Sequence, residues 1–172
     1  MPIPHTLRPE SPADHDAITA VTAAAFAGLE ISHQTEPFVV MALRRAGALT
    51  LSLVAEVDGR VVGHIAFSPV TMSDGAPGWY GLGPVSVRPD LQRQGLGAAL
   101  IREGLDRLRA AGARGCCLVG HPEYYRRFGF ANAEGLAHAG VPGAYFFVLP
   151  FEGAVPRGEV RFHDGFSATG PA

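Results

Sequence analysis

The sequence contains no lysine, and all 14 of its basic residues are arginines. The phosphate-binding loop of P-loop kinases and ATPases needs a lysine followed by serine or threonine, because the lysine reaches the β- and γ-phosphates. A P-loop enzyme is therefore excluded, whatever glycine-rich loops the chain contains.

Cysteine is also scarce. The two cysteines, Cys116 and Cys117, are adjacent in an apolar segment. On a strand their side chains point to opposite faces, so an ordinary disulfide between them is not expected. We predict buried, structural thiols. The cysteines and the seven histidines show no metal-ligand spacing, and no metal site is predicted.

The chain carries little net charge, −2 at neutral pH. It has no basic stripe and no interleaving of basic and aromatic residues, so no nucleic-acid partner is expected. No apolar run approaches the length that spans a bilayer, and the N-terminus lacks a basic segment followed by an apolar one. We therefore expect no membrane partner and a cytoplasmic location.

Apolar residues are abundant, making up 47% of the 172 residues. This length and composition predict a single domain over residues 1–172, with its core in residues 5–150 and C-terminal strands in residues 144–166. The aromatic residues of the C-terminal strands would either complete the core or form a contact between two copies of the chain. The expectation is a homodimer.

Local patterns divide the chain into strands and helices. Asp58-Gly59 between two apolar runs is a strong hairpin signal. Two glycines and a proline, at 81, 83 and 84, interrupt the third long strand, which predicts a β-bulge or a splay there. Strands are predicted at 5–10, 51–57, 60–70, 79–87, 116–120, 144–149 and 159–162. Helices are predicted after a cap at Ser11 or Asp14, at 37–46, at 97–111 and from Pro122 onward.

The most informative segment is Gln92-Arg93-Gln94-Gly95-Leu96-Gly97, which follows an apolar run and precedes a helical one. A strand that turns through glycines into a helix presents free backbone N–H groups at the positive end of the helix dipole. The two glycines have no Cβ, so an anion can approach the backbone closely. We predict that a phosphate or pyrophosphate binds here, with further donors from residues 92–94.

A dinucleotide-binding βαβ unit fits this loop poorly. Its fingerprint is Gly-x-Gly-x-x-Gly, with an acidic residue at the end of the next strand about 20 residues on. Here the two glycines end the motif, and the next strand candidate runs into Gly120-His121-Pro122.

The order of residues in the loop resembles the pyrophosphate-binding signature of the GCN5-related N-acetyltransferase (GNAT) superfamily. Residues 85–97 resemble the fourth strand and loop of that superfamily, and residues 62–65, Val-Gly-His-Ile, resemble its third strand. Residues 125–130, Tyr-Arg-Arg-Phe-Gly-Phe, are similar to the Tyr-x-x-x-Gly-Phe ending of its fourth helix. The likeness covers residues 5–132.

The chain also resembles a bacterial subgroup of the superfamily. Residues 124–130 match its Tyr-Tyr-x-Arg-Phe-Gly-Phe motif, and residues 52–56 and 62–64 match its Ser-Leu-Val-Ala-Glu and Val-Gly-His segments. The subgroup often has Gly-Asp-Pro before the tyrosines, where this chain has His121 in place of the aspartate. If that position shapes the acceptor pocket, its chemistry differs here.

The resemblance implies a mixed α/β fold with a mostly antiparallel sheet, splayed at the fourth strand and flanked by helices. It implies an enzyme that transfers an acetyl group from acetyl-CoA to an amine of a small molecule or peptide, by direct attack in a ternary complex and without a metal. The alternative is an acyl-CoA-binding regulatory module without turnover. The residues implied to bind the cofactor are Val85, Ser86, Val87, Gln92, Arg93, Gln94, Gly95, Leu96, Gly97, Ala98 and Tyr124.

The resemblance also suggests the catalytic groups. Tyr125 matches the position whose phenol protonates the departing thiolate, and Tyr124 is the rival for that role. A general base is less clearly marked. Glu36, His64 and His121 are the candidates on the acceptor side, while deprotonation through water alone would need none of them.

Overall fold

The computed structural model describes residues 3–171. Its strands are β1 (Thr6–Pro9), β2 (Leu51–Val57), β3 (Arg60–Met72), β4 (Trp79–Val87), β5 (Gly115–Val119), β6 (Leu136–His138), β7 (Phe146–Pro150) and β8 (Gly158–Phe162). Its α-helices are α1 (His15–Phe26), α2 (Glu36–Arg45) and α3 (Leu96–Ala110). Residues 1, 2 and 172 lie outside this description, and the single domain over 1–172 stays a prediction.

The strands form one mixed sheet whose main path runs β1-β2-β3-β4-β5-β7. Neighbours on this path are antiparallel except β4 and β5, which are parallel. Strand β8 pairs with the end of β3 and, in parallel, with β6. The prediction of a mostly antiparallel sheet in a mixed α/β fold is confirmed.

The β2–β3 hairpin sets the register of the first half of the sheet. Its turn residues Asp58 and Gly59 both have positive φ, 51° and 75°, as a two-residue type I′ turn requires. Val57 and Arg60 pair directly across this turn, so the hairpin lies where the sequence predicts it.

Helices cover both faces of the sheet. Helix α3 packs on β2, β3 and β4, and its Leu100 shares a buried cluster with Leu53. On the other face, Ile18 of α1 and Val40 of α2 cluster with Val54. Because successive side chains of β2 point to opposite faces, α3 lies on one side of the sheet and α1 with α2 on the other.

Strands β4 and β5 separate after a short parallel pairing. They pair only where residues Trp79, Tyr80 and Gly81 lie beside 115–117. From there to their ends the two strands do not pair with each other. This opening is the predicted splay.

A bulge in β4 accompanies the opening. Strand β4 has Gly83 and Pro84 where β3 has only Ala66, so the register shifts at that point. Pro84 supplies no N–H to a ladder, and Gly83 has a φ of 137°. An extra residue of this kind bends a strand and increases its twist, which directs the end of β4 away from β5.

The helix predicted from Pro122 is wrong. Residues 122–124 form a turn, and the 3₁₀ helix Tyr125–Phe128 follows, ending at Gly129 with a φ of 96°. A left-handed glycine ends a helix, and the stretch between Pro122 and Gly129 is too short for a stable α-helix. The strand predicted from residue 144 begins later, at Phe146, because a 3₁₀ helix occupies residues 143–145. Strand β6 was not predicted.

The two cysteines are free and buried. Cys116 belongs to the cluster beneath α3, whereas Cys117 packs in a separate cluster with Trp79 and Phe146. Burial raises the pKa of both thiols, which keeps them protonated. The predicted structural role on opposite faces of β5 agrees with this arrangement.

Among residues 3–171, no helix is long and apolar enough to cross a membrane. Within the same residues, no group of three or more histidine, cysteine, aspartate or glutamate side chains could hold a metal ion.

Candidate active site

A cavity of about 560 Å³ lies at the end of β4, where the strand leads into α3. Its walls come from β4, from the loop between β4 and α3, from the first turns of α3 and from the segment after β5. The lining residues are Val85, Val87, Leu91, Gln92, Arg93, Gly95, Leu96, Gly97, Ala98, Ile101, Tyr124 and Arg127. Most of the predicted cofactor-binding residues are therefore brought together around one space.

The loop that precedes α3 is held in an unusual conformation. Arg93 and Gly95 both have positive φ, 63° and 90°, and the Gln92 side chain donates a hydrogen bond to the Val87 carbonyl at 3.0 Å. That bond ties the loop back onto the end of β4. The loop thus turns sharply into the helix and leaves its inner side facing the cavity.

The first turn of α3 offers free N–H groups to this cavity. The Ala99 N–H donates to the Gly95 carbonyl at 3.0 Å, which is the first bond of the helix. The N–H groups of residues 96–98 therefore have no acceptor within the helix, and in the described part of the chain no side chain caps the start of α3. Together with the helix dipole they form a site for an anion.

Gly97 lies in the first turn of α3 and lines the cavity. A Cβ added to it would meet only the Tyr124 hydroxyl and a methyl group of Val87, each at 3.7 Å. Because Tyr124, Val87 and Gly97 all line the cavity, a side chain at this position would project into the cavity without a clash.

Two arginines add positive charge to the cavity. Arg93 lies on the loop, and Arg127 lies in the segment after β5. The Arg127 guanidinium stacks over the Tyr124 ring, 4.6 Å from its centroid, while its Nε donates to the Tyr124 carbonyl at 3.0 Å. None of the ion pairs found within residues 3–171 involves either arginine. Both charges are thus available to an anionic ligand.

Arg127 was not among the residues predicted to bind the cofactor. The signal was present, because Arg127 is the arginine of the Tyr-Tyr-x-Arg-Phe-Gly-Phe motif. Ile101 was also missed. It lies one turn further along α3 than Gly97, on the face that continues the cavity wall.

The two adjacent tyrosines have different surroundings. Tyr124 lines the cavity and is half-buried, and burial raises the pKa of its phenol. Tyr125 does not line the cavity. A Cβ added to Gly120 would meet its ring at 2.2 Å, so Tyr125 packs against the end of β5. The two rings meet edge to face, with centroids 5.0 Å apart.

Burial also acts on Tyr125. Its ring packs beside Phe130 and Phe147 of the core, and this desolvation raises the pKa of its phenol to about 12. A phenol with that pKa keeps its proton at neutral pH and remains a hydrogen-bond donor.

Two of the predicted cofactor residues do not face the cavity. Ser86 lies between Val85 and Val87 on β4, and because side chains alternate along a strand it points to the opposite face. It is buried, with 2% of its surface exposed. Gln94 is exposed on the loop and is not part of the cavity lining.

The three acceptor-side candidates do not gather around the cavity either. Glu36 begins α2 and accepts a hydrogen bond from the Ser32 hydroxyl at 2.7 Å. His121 is exposed, and its Nδ1 accepts from the Glu123 N–H at 3.2 Å. His64 is completely buried in β3, where burial lowers the pKa of its imidazole to about 4.

Comparison with known proteins identifies the family of this chain. The model of the acetyltransferase (GNAT) family matches residues 18–130. The chain belongs to the GNAT acetyltransferase family. It is 38% identical over 128 residues to the N-acetyltransferase YhbS of Escherichia coli K12, an alignment that covers 74% of each chain.

Solved structures of GNAT proteins share the whole fold. A GNAT family acetyltransferase from Brucella melitensis, crystallised with acetyl-CoA, is 52% identical, with a TM-score of 0.85 over 95% of this chain and 98% of that one. The structure of E. coli YhbS in complex with CoA is 33% identical, with a TM-score of 0.87 over 96% of this chain and 93% of that one.

Proposed function

We propose that this GNAT protein binds acetyl-CoA between β4 and β5 and transfers the acetyl group directly to an amine of a small molecule or peptide. The observation that carries the proposal is the cavity at the splay, where free N–H groups of α3 and two arginines without carboxylate partners face one space. Two relatives with the same fold are crystallised with acetyl-CoA or CoA, which supports this choice of ligand.

The pyrophosphate of the cofactor would lie against the N–H groups of residues 96–98. Hydrogen bonds from backbone N–H groups to an ionised oxygen are stronger than those between neutral groups. Arg93 and Arg127 would add charge on either side of it. The fixed loop conformation means that these donors need little rearrangement when the anion arrives.

The pantetheine arm would continue along β4 into the opening between the strands. Beyond Gly81 the β5-facing backbone groups of β4 have no partner on β5, so they can donate to and accept from the amides of the arm. A backbone N–H there would also stabilise the oxyanion that forms when an amine attacks the thioester carbonyl.

The departing thiolate requires a proton or a strong hydrogen bond. We assign this role to Tyr125, which packs against the end of β5, and we assign Tyr124 to cofactor contact on the α3 side. The high pKa of the Tyr125 phenol suits a group that must enter the reaction protonated.

Among residues 3–171, no acidic or imidazole side chain lines the cavity, and this observation favours the second candidate function, an acyl-CoA-binding module without turnover. The two functions differ in one measurement. The enzyme releases free thiol from acetyl-CoA in the presence of an amine, whereas the module binds acetyl-CoA and releases none.

The first experiment is isothermal titration of the purified chain with acetyl-CoA, CoA, ATP and NADH. Micromolar affinity for the two CoA species alone is expected, followed by amine-dependent thiol release across a panel of alkylamines and peptides. Preference for ATP or NADH would refute the assignment of the ligand. Tight acetyl-CoA binding with no thiol release from any amine would favour the module.

A further inference from the structure

A groove lies beside the cofactor cavity, between α3 and the 3₁₀ helix Tyr125–Phe128. It has a volume of about 220 Å³, and its lining residues are Arg102, Leu105, Asp106, Arg109, Arg127 and Phe128. We call it the arginine groove. Arg127 also lines the cofactor cavity, so the two spaces are neighbours.

Helix α3 contributes to both spaces. Ala98 lines the cofactor cavity, and Arg102 lines the arginine groove. Residues four apart lie on the same side of a helix, about 6 Å apart along its axis. The arginine groove therefore begins one helical turn beyond the amides where the pyrophosphate is proposed to bind.

The arginine groove contains two positive charges without a carboxylate partner. Its aspartate, Asp106, lies 3.9 Å from Arg109 Nη1, and Arg109 stacks over the Phe151 ring. Within residues 3–171, no ion pair involves Arg102 or Arg127. These two guanidinium groups are therefore the cations that the groove can offer to a ligand.

Aromatic rings hold both of these guanidinium groups in place. Arg102 lies over Phe128, 5.1 Å from the ring centroid, as Arg127 lies over Tyr124. The two rings are in edge-to-face contact, with centroids 5.4 Å apart. Stacking uses the face of a guanidinium and leaves the N–H groups at its edge able to donate.

Both charges act on the same phenol. Burial raises the pKa of Tyr124, while the charges of Arg127 and Arg102 oppose that rise. Arg102 is thus close enough to influence a group in the cofactor cavity, although it does not line that cavity itself. Two like charges near one another repel, and a doubly charged anion that contacts both would remove the repulsion.

Coenzyme A carries a phosphate group with this charge. Its pyrophosphate is attached to the 5′-oxygen of a ribose, and the 3′-oxygen of the same ribose bears a phosphate monoester with a charge of about −2 at neutral pH. One ribose therefore separates the two phosphate groups, as one helical turn separates the first amides of α3 from Arg102.

We propose that the arginine groove binds the 3′-phosphate of the cofactor, with Arg102 and Arg127 as donors, and thereby makes the chain selective for CoA over 3′-dephospho-CoA. The fork of N–H groups on a guanidinium matches the spacing of phosphate oxygens. The proposal rests on the cofactor binding proposed above, and it adds Arg102 as the residue that specifies the adenosine end of the ligand.

Titration of three forms of the chain with two ligands tests this assignment. The Kd values of CoA and 3′-dephospho-CoA are measured by isothermal titration at low salt for the wild type, Arg102→Gln and Arg107→Gln. Arg107 is the matched control, because it lies on the same helix, pairs with Glu103 and does not line the groove. Arg102 is exposed, so the melting temperature of Arg102→Gln should be close to that of the wild type.

The wild type should bind CoA about tenfold more tightly than 3′-dephospho-CoA, as expected for a hydrogen bond to a charged group. Arg102→Gln should lose most of this preference, because its Kd for CoA rises while its Kd for 3′-dephospho-CoA stays nearly unchanged. Arg107→Gln should keep the wild-type preference. High salt should reduce the preference, since it screens exposed charges.

Equal Kd values of the two ligands in the wild type would overturn the proposal while leaving CoA binding intact. An unchanged preference in Arg102→Gln would also overturn it. The same holds for an equal loss of affinity for both ligands, because Arg102 would then support the cavity rather than contact the 3′-phosphate. If neither ligand binds the wild type, the proposed function and this proposal both fall.

Discussion

Gly97, in the first turn of α3, provides the sharpest test of the anion site, because a change there separates binding from folding. The substitution Gly97→Ala places a methyl group 3.7 Å from the Tyr124 hydroxyl and from Val87, which is ordinary van der Waals contact. The backbone at Gly97 is not in the left-handed region. Alanine also favours a helix over glycine by up to about 1 kcal/mol. The free energy of unfolding should therefore stay unchanged or rise.

Binding should change in the opposite direction. The new methyl group would project into the cavity that the α3 amides line, and we expect it to displace the proposed pyrophosphate from one of those N–H groups. Loss of one hydrogen bond to a charged oxygen costs about 1.5–3 kcal/mol, which corresponds to a Kd for CoA raised roughly 10- to 150-fold. Isothermal titration measures the Kd, and thermal unfolding without ligand measures the stability.

Gly104 provides the matched control on the same helix. A Cβ there would lie 2.3 Å from the Phe67 ring, so Gly104→Ala should destabilise the protein by about 1–3 kcal/mol through overpacking. Its CoA affinity below the melting temperature should be close to that of the wild type. A wild-type Kd for CoA in Gly97→Ala would refute an anion site at the start of α3.

Three further predictions concern the tyrosines, an arginine and the pH dependence of stability. Tyr125→Phe should lower kcat with little change in the Kd for acetyl-CoA. Tyr124→Phe should raise the Kd for acetyl-CoA with little change in kcat. The opposite pattern in rate and titration measurements would exchange the roles of the two tyrosines. Arg127→Gln should raise the Kd for CoA roughly tenfold at low salt, as loss of a charged hydrogen-bond donor predicts, and high salt should reduce the difference between variant and wild type; equal affinities at low salt would remove Arg127 from the site. His64 has a folded-state pKa of about 4, below the usual value near 6.5, so the unfolded state binds more protons between these values. The free energy of unfolding should therefore fall by at most about 3 kcal/mol as the pH drops from 6.5 to 4. In His64→Gln, the free energy of unfolding measured with urea should depend less on pH over this range. An unchanged pH dependence would show that His64 does not cause the loss of stability.

Much of the fold was predictable because its signals are local. The turn at Asp58-Gly59 requires positive φ at both residues, and the sequence offers residues that tolerate it. Gly83 and Pro84 mark the bulge through an equally local signal, because glycine and proline fit poorly in a regular β-ladder. The loop at 92–97 combines a glycine pattern with a following helix, and the structure places this loop beside the cavity.

The remaining features depend on contacts between distant segments. Strand β6 has only three residues, Leu136–His138, and exists because it pairs with β8, which lies about twenty residues further along the chain. The orientation of Ser86 follows from strand alternation, but its pairing with His64 requires the register of β3 and β4. The hydrogen bonds that join His64 to Ser52 and Ser52 to Glu10 likewise connect three separate segments of the sequence.

The separation of β4 from β5 gives the sheet two internal edges. Each strand is paired on its outer side, β4 with β3 and β5 with β7, and presents unpaired backbone groups only toward the opening. Exposed strand edges promote aggregation between molecules, but these edges face one another inside the protein, where a strand of another chain has little access. A slender molecule with amide groups can enter where a whole strand cannot. The fold thus keeps an unsatisfied edge for the proposed cofactor arm without offering that edge to neighbouring proteins.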